Sequence, residues 1–218
     1  MKTPGEVLAF WFGEPAQNLE QLKPKMKRWF GGGPEFDADV KKRFGADIDA
    51  AVEGKLDAWL AEPKGWLALL ILLDQFTRNA YRGDPKTHAG DARAVKLTLE
   101  ALENGQLHAL PLQERHFALM PLLHAEDAAC QARYVAEYAK FMKDVPDALR
   151  PIYDSGVEQG EKYGEIVRRF GRFPHRNKLL GRTSTPEEEE FLKDWNERAA
   201  PKAARELGIA RQVEPKKA

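Results

Sequence analysis

A single cysteine, Cys130, stands in a chain of 218 residues, so neither an intramolecular disulfide nor a cysteine-based metal cluster can form. Net charge is also missing. The 34 basic residues cancel the 34 acidic ones, and no global field draws the chain to nucleic acid or to a lipid surface. Long apolar runs are missing too: the longest, Trp66 to Leu73, falls far short of the roughly 20 residues that span a bilayer. The stretch from Val7 to Phe12, interrupted by Gly13, Glu14 and Pro15, is too brief for a secretory leader. These absences predict a soluble, cytoplasmic protein in a reducing compartment, with no membrane partner. Runs of alternating β-branched residues are absent as well, which leaves helix as the regular element.

What is present is dense helical punctuation. Thr3-Pro4-Gly5-Glu6 offers an N-cap threonine, a proline at the first helical position and a glutamate at the third, and Thr185-Pro186-Glu187-Glu188 repeats the arrangement. Phe36, Val40, Phe44 and Ile48 recur every four residues, and Trp66, Leu69, Leu70 and Leu73 mark a stripe within an almost wholly apolar segment. Further helices are expected at about Thr87 to Glu103, Gln113 to Leu122, Ala125 to Met142 and Arg150 to Phe170. Cys130 reads as a small thiol inside one of them, part of the core, and Phe10-Trp11-Phe12 as core packing. The fold class is all-α, with one domain over 1–203 and a charged, frayed tail at 204–218. Bundle and stacked hairpins fit this pattern equally.

Three polar clusters resist sorting into core and surface. In Asp74-Gln75-Phe76-Thr77-Arg78-Asn79, Asp74 and Arg78 are four apart and share a helix face, where they can pair as a cap on a buried helix; Asn79 sits near the helix stop at Gly83 and Pro85. In His124-Ala125-Glu126-Asp127, the acids suit a helix start by themselves, while His124, Asp127 and Gln131 would line one stripe and could orient a general base. Without a second close histidine, no metal site is expected.

The third cluster carries Arg168, Arg169, Arg172, His175, Arg176, Lys178 and Arg182, with no acid between Ile166 and Pro186. Gly171 can end one helix and Pro174 open the next, leaving turn amides near His175, Arg176 and Asn177 free to meet a phosphate or carboxylate among the guanidinium forks. The competing account sends these arginines across the core to Asp74, Glu126 or Asp127. Phe170 and Phe173 interleave with the arginines as in a platform for single-stranded nucleic acid, but the patch is short and the chain neutral, which argues against that partner.

Taken in order, Phe10-Trp11-Phe12-Gly13, Leu73 to Asn79, His124 to Asp127, Arg169 to Asn177 and Leu180-Gly181-Arg182-Thr183-Ser184-Thr185 resemble the DUF924 family, bacterial-type proteins of unknown function, across about Val7 to Leu192. The resemblance implies a tetratricopeptide-like stack of antiparallel helical hairpins, and no activity or cofactor. Tyr163 departs from the family's usual histidine. The reading that follows is a pocket in which Asp74, His124 and Glu126 orient a ligand or transfer protons. Arg78, Asn79, Asp127, Arg169, Arg172, His175, Arg176, Asn177 and Arg182 would line it and hold an anionic small molecule, with hydrolysis or group transfer as the chemistry. The alternative is a scaffold that binds a protein or peptide, its polar clusters merely locking the fold.

Overall fold

The computed structural model describes residues 1–62 and 64–195, so the expected tail at 204–218 lies outside them. Among the described residues there is no strand, and the fold is all-α. No helix described is long and apolar enough to cross a membrane.

Both threonine signals form capping boxes. In α1 (Pro4–Phe12) the Thr3 hydroxyl accepts from the Glu6 N–H while the Glu6 carboxylate accepts from the Thr3 N–H, and Thr185 and Glu188 do the same at α10 (Pro186–Lys193). Helix α2 (Leu19–Gly31), capped by Asn18, is an element that the sequence pattern does not announce; Pro24 masks it, although Leu22, Met26 and Trp29 bury one helical stripe. Helix α3 (Gly33–Val52) buries Val40, Phe44 and Ile48.

The apolar segment departs from a plain helix. Helix α4 (Gly65–Leu70) widens into a π-helical stretch (Ile71–Phe76) before α5 (Thr77–Ala80), and the Thr77 N–H reaches back five residues to the Leu72 carbonyl. Wide turns of this kind recur at functional sites, and Asp74 sits inside this one.

Helix α6 (Asp91–Glu103) is preceded by a separate 3-10 turn (Pro85–His88), so the expected single helix from Thr87 breaks at Gly90. The break has a steric cause. A Cβ on Gly90 would lie 2.9 Å from both the Cα and the carbonyl carbon of Leu73, so only glycine lets the start of α6 press against the backbone beside Asp74. Helix α7 (Leu112–His124) runs through Pro121, and α8 (Ala128–Asp144) starts from an Asp127 cap. Helix α9 (Arg150–Phe170) ends at Gly171, whose φ of 69° is the left-handed cap expected there. From α6 to α9 each helix packs on the next in chain order.

Trp11 and Phe12 meet Trp29 and Phe117 edge-on or tilted, which places the Phe10-Trp11-Phe12 segment against the main core as expected. Cys130 differs from expectation. It is half-buried in the first turn of α8, its N–H donating to Asp127 Oδ1 at 2.7 Å. Burial, helped by Asp127, pushes its thiol up to about 11. A second, smaller apolar cluster joins Ile166, Val167 and Phe173 to Tyr163, Phe170, Phe191 and Trp195, and it carries the arginine-rich turn.

Candidate functional site

The wide turn delivers Asp74 into full burial directly beneath the last residue of α7. His124 Nδ1 lies 2.8 Å from Asp74 Oδ1 and 3.1 Å from Oδ2. Arg78, one turn on, reaches the same carboxylate at 3.0 Å, as its spacing predicts, and donates to the Asp74 carbonyl at 2.7 Å. Burial opposes ionisation of Asp74, but Arg78 and then His124 outweigh it and hold the carboxyl below its usual range. An ionised carboxylate only accepts, so Nδ1 carries the hydrogen.

Burial and the Arg78 guanidinium push His124 below the usual imidazole value, against the pull of Asp74. The ring is therefore neutral near pH 7 and its Nε2 bare. Among the described residues Nε2 takes no hydrogen-bond partner, and the side chain keeps 17% of its exposure.

Around this pair stand residues that local pattern does not single out. Asp91 opens α6 and faces Arg78 Nη2 at 2.9 Å, Arg176 Nη1 at 3.5 Å and His88 Nδ1 at 3.1 Å. Burial works against its ionisation, but His88 and Arg78 bring the carboxyl down to about 2. The contact between Arg78 Nη2 and Asp91 Oδ1 is not a directed hydrogen bond; neither atom has such a partner among the described residues. Arg176 Nη2 donates to the His124 carbonyl at 2.9 Å, which fixes the arginine-rich turn over the dyad. Asp91 follows Gly90 at a helix start, and apart from His88, three residues back, its partners lie too far away in sequence for periodicity to report.

The remaining predicted residues divide among other tasks. Glu126 does not face His124. Its carboxylate takes Arg182 Nη1 at 2.6 Å, Arg182 Nη2 at 2.8 Å and the Phe173 N–H at 2.8 Å. Arg172 grips Glu188 at 2.7 and 2.8 Å, and Asn177 Nδ2 donates to Ser184 and to the same Glu188. Arg169 pairs with Glu187 at the surface. Asn79 turns away to Asp37, at 2.8 Å. Asp127 only caps α8, and because the chain breaks between α7 and α8, His124, Asp127 and Gln131 do not share one stripe.

The expected cradle of turn amides does not form. The turn closes as a 3-10 helix (Pro174–Arg176), so the Arg176 and Asn177 amides bond to the carbonyls of Phe173 and Pro174, while that of Phe173 goes to Glu126. His175 stacks on Trp195 at 4.5 Å, its Nδ1 buried without a partner among the described residues, and burial followed by Arg176 brings it to about 3. Tyr163 packs its ring against Phe173 at 5.0 Å, and burial raises its phenol although Arg176 and Arg78 pull the other way. The cationic field of this segment is thus neutralised locally: Arg169, Arg172, Arg176 and Arg182 each face an acid. No group of three or more potential ligands that could hold a metal occurs among the described residues.

Three comparisons bear on this geometry. The family model of DUF924, described as a bacterial protein of unknown function, matches residues 7–196. Among solved structures, that of the protein of unknown function ATU0120 from Agrobacterium tumefaciens is similar at 34% identity, over 88% of this chain and 97% of that one, with a TM-score of 0.69. No curated protein matches.

Proposed function

The chain belongs to the DUF924 family, whose function is unknown, and we propose from its own residues that it is an acid–base protein with His124 as general base. Asp74 orients that base. The observation that carries the reading is the pairing of a fully buried carboxylate with Nδ1, which leaves a bare Nε2 without a partner among the described residues. That division of labour is what proton abstraction from water or from a ligand hydroxyl requires.

An anionic small molecule remains the ligand class, with a reduced set of contacts. Arg176 meets Asp91 only at 3.5 Å, so its guanidinium group retains donors for a phosphate or carboxylate, while Arg78 lies against Asp74 and Asp91. Arg169, Arg172 and Arg182 face glutamates instead and leave the ligand set. Hydrolysis, by water activated at Nε2, is the reaction that needs least beyond these groups.

Carbethoxylation, which modifies unprotonated imidazole nitrogen, tests the base without a known substrate. At pH 7, peptide mass spectrometry should find His124 modified well ahead of the buried His116, and Asp74→Asn should change the His124 rate while leaving that of exposed His108 unaltered. Equal protection of His124 and His116 would remove the proposal.

The ion pairs favour a second reading for the outer clusters. Glu126 with Arg182 ties the C-terminal segment to the junction of α7 and α8, and Glu188 with Arg172 ties α10 to the arginine-rich turn, which is the locking role of a scaffold. On that reading, charge-removing changes there alter stability and leave the His124 modification rate unchanged.

A further inference from the structure

The outward side of α8 and α9 is out of keeping with a solvated surface. On α8, Ala128, Ala132, Val135 and Ala136 are all exposed, and Val135 keeps 42% of its surface. On α9, Val157 keeps 38%, and Gly160 and Gly164 are buried in the floor between the helices. The α8 residues, with Gly160 and Gly164, line a mainly apolar groove of about 460 Å³, and Val157 lies outside it.

Its rim carries two charges on α9, Glu161 and Arg168. Neither has an ion-pair partner among the described residues, and Arg168 lies over Gly164, its Nη1 3.9 Å from where a Cβ would stand. Seven residues are almost two helical turns, so the two charges share one side of α9, roughly 10 Å apart. Their midpoint falls between residues 164 and 165.

This arrangement is self-complementary. In an antiparallel contact between two α9 helices, with the two-fold axis at Gly164, Glu161 of each copy meets Arg168 of the other. One pair of residues then supplies two opposite-charge contacts, while the partner covers the exposed Val135 and the alanines of α8. A parallel contact in the same register would oppose like charges. We propose that this face is a homodimer interface, and that its occupant is a second copy of the chain.

Sedimentation equilibrium of the full chain, from about 1 to about 500 µM, tests it, since association by mass action must strengthen with concentration. A monomer–dimer equilibrium is expected. Val135→Asp, at an exposed site that leaves the fold intact, should weaken it at least tenfold. Glu161→Arg and Arg168→Glu should each weaken it by about the same factor, because each places two like-charged pairs across the axis. The double variant should return to within about threefold of the original. The proposal is overturned by a monomer throughout the range, by a dimer indifferent to Val135→Asp, or by a double variant as weak as the single ones.

Discussion

Replacing Glu126 with alanine removes three hydrogen bonds at once, and their surroundings set unequal values on them. The Arg182 guanidinium keeps 24% of its exposure and a second acceptor, the Phe173 carbonyl at 3.2 Å, so losing the carboxylate costs it about 1 kcal/mol. The Phe173 N–H has no such recourse. It belongs to a fully buried residue, and orphaning it costs about 1–3 kcal/mol. Glu126→Ala should therefore lower unfolding free energy by about 2–4 kcal/mol, whereas Arg182→Ala, which leaves the Phe173 bond in place, should cost only about 1 kcal/mol. Urea titrations of both single variants and the double variant measure this, with an expected coupling of about 1 kcal/mol. Equal losses for the two single variants, or losses for Glu126→Ala under about 0.5 kcal/mol, would refute the assignment of the buried amide as the dominant partner.

Acid should weaken the fold before the carboxylates titrate. His116 is buried among aromatics with its Nδ1 on the Tyr138 hydroxyl at 2.8 Å, and burial brings it to about 3. Because the unfolded chain binds that proton near pH 6.5 and the folded chain does not, stability falls as pH drops below 6.5, by roughly 1.4 kcal/mol per pH unit for this group. Between pH 6 and 5, His116→Leu should flatten the measured slope by about that amount; an unchanged slope would count against it. Gly90→Ala should cost about 1–3 kcal/mol by forcing α6 off the Leu73 backbone, read by denaturant midpoint, and a neutral result would mean the close approach is unimportant. Cys130, with its thiol near 11, should react slowly with a disulfide reagent at pH 7. Asp127→Asn, which preserves the cap but not the charge, should speed that reaction, and an unchanged rate would exclude Asp127 as a cause.

Features coded over a few residues are legible in the chain itself: the two threonine capping boxes, the left-handed stop at Gly171, the pairing of Asp74 with Arg78 one turn apart. Features made by chain segments meeting are not. Asp91 serves Arg78 and Arg176 from a third segment, and Glu188 serves Arg172 sixteen residues away, so neither leaves a periodic trace. The wide turn holding Asp74 is hidden because a run of leucines satisfies either helical geometry; its spacing follows from what packs around it. The cationic field is weaker in space than along the chain for the same reason. Charge counted residue by residue says nothing about the glutamates that fold back to meet it.

The central claim is a protonation state, and the ring nitrogens of His124 report it directly. Long-range proton–nitrogen correlation spectra of nitrogen-15-labelled protein, recorded from pH 5 to 8 and assigned with His124→Gln, distinguish the two tautomers and the imidazolium. The account predicts hydrogen on Nδ1 and a bare Nε2 at pH 7, with Asp74→Asn disturbing that preference. A hydrogen on Nε2, or a charged ring at pH 7, would contradict it.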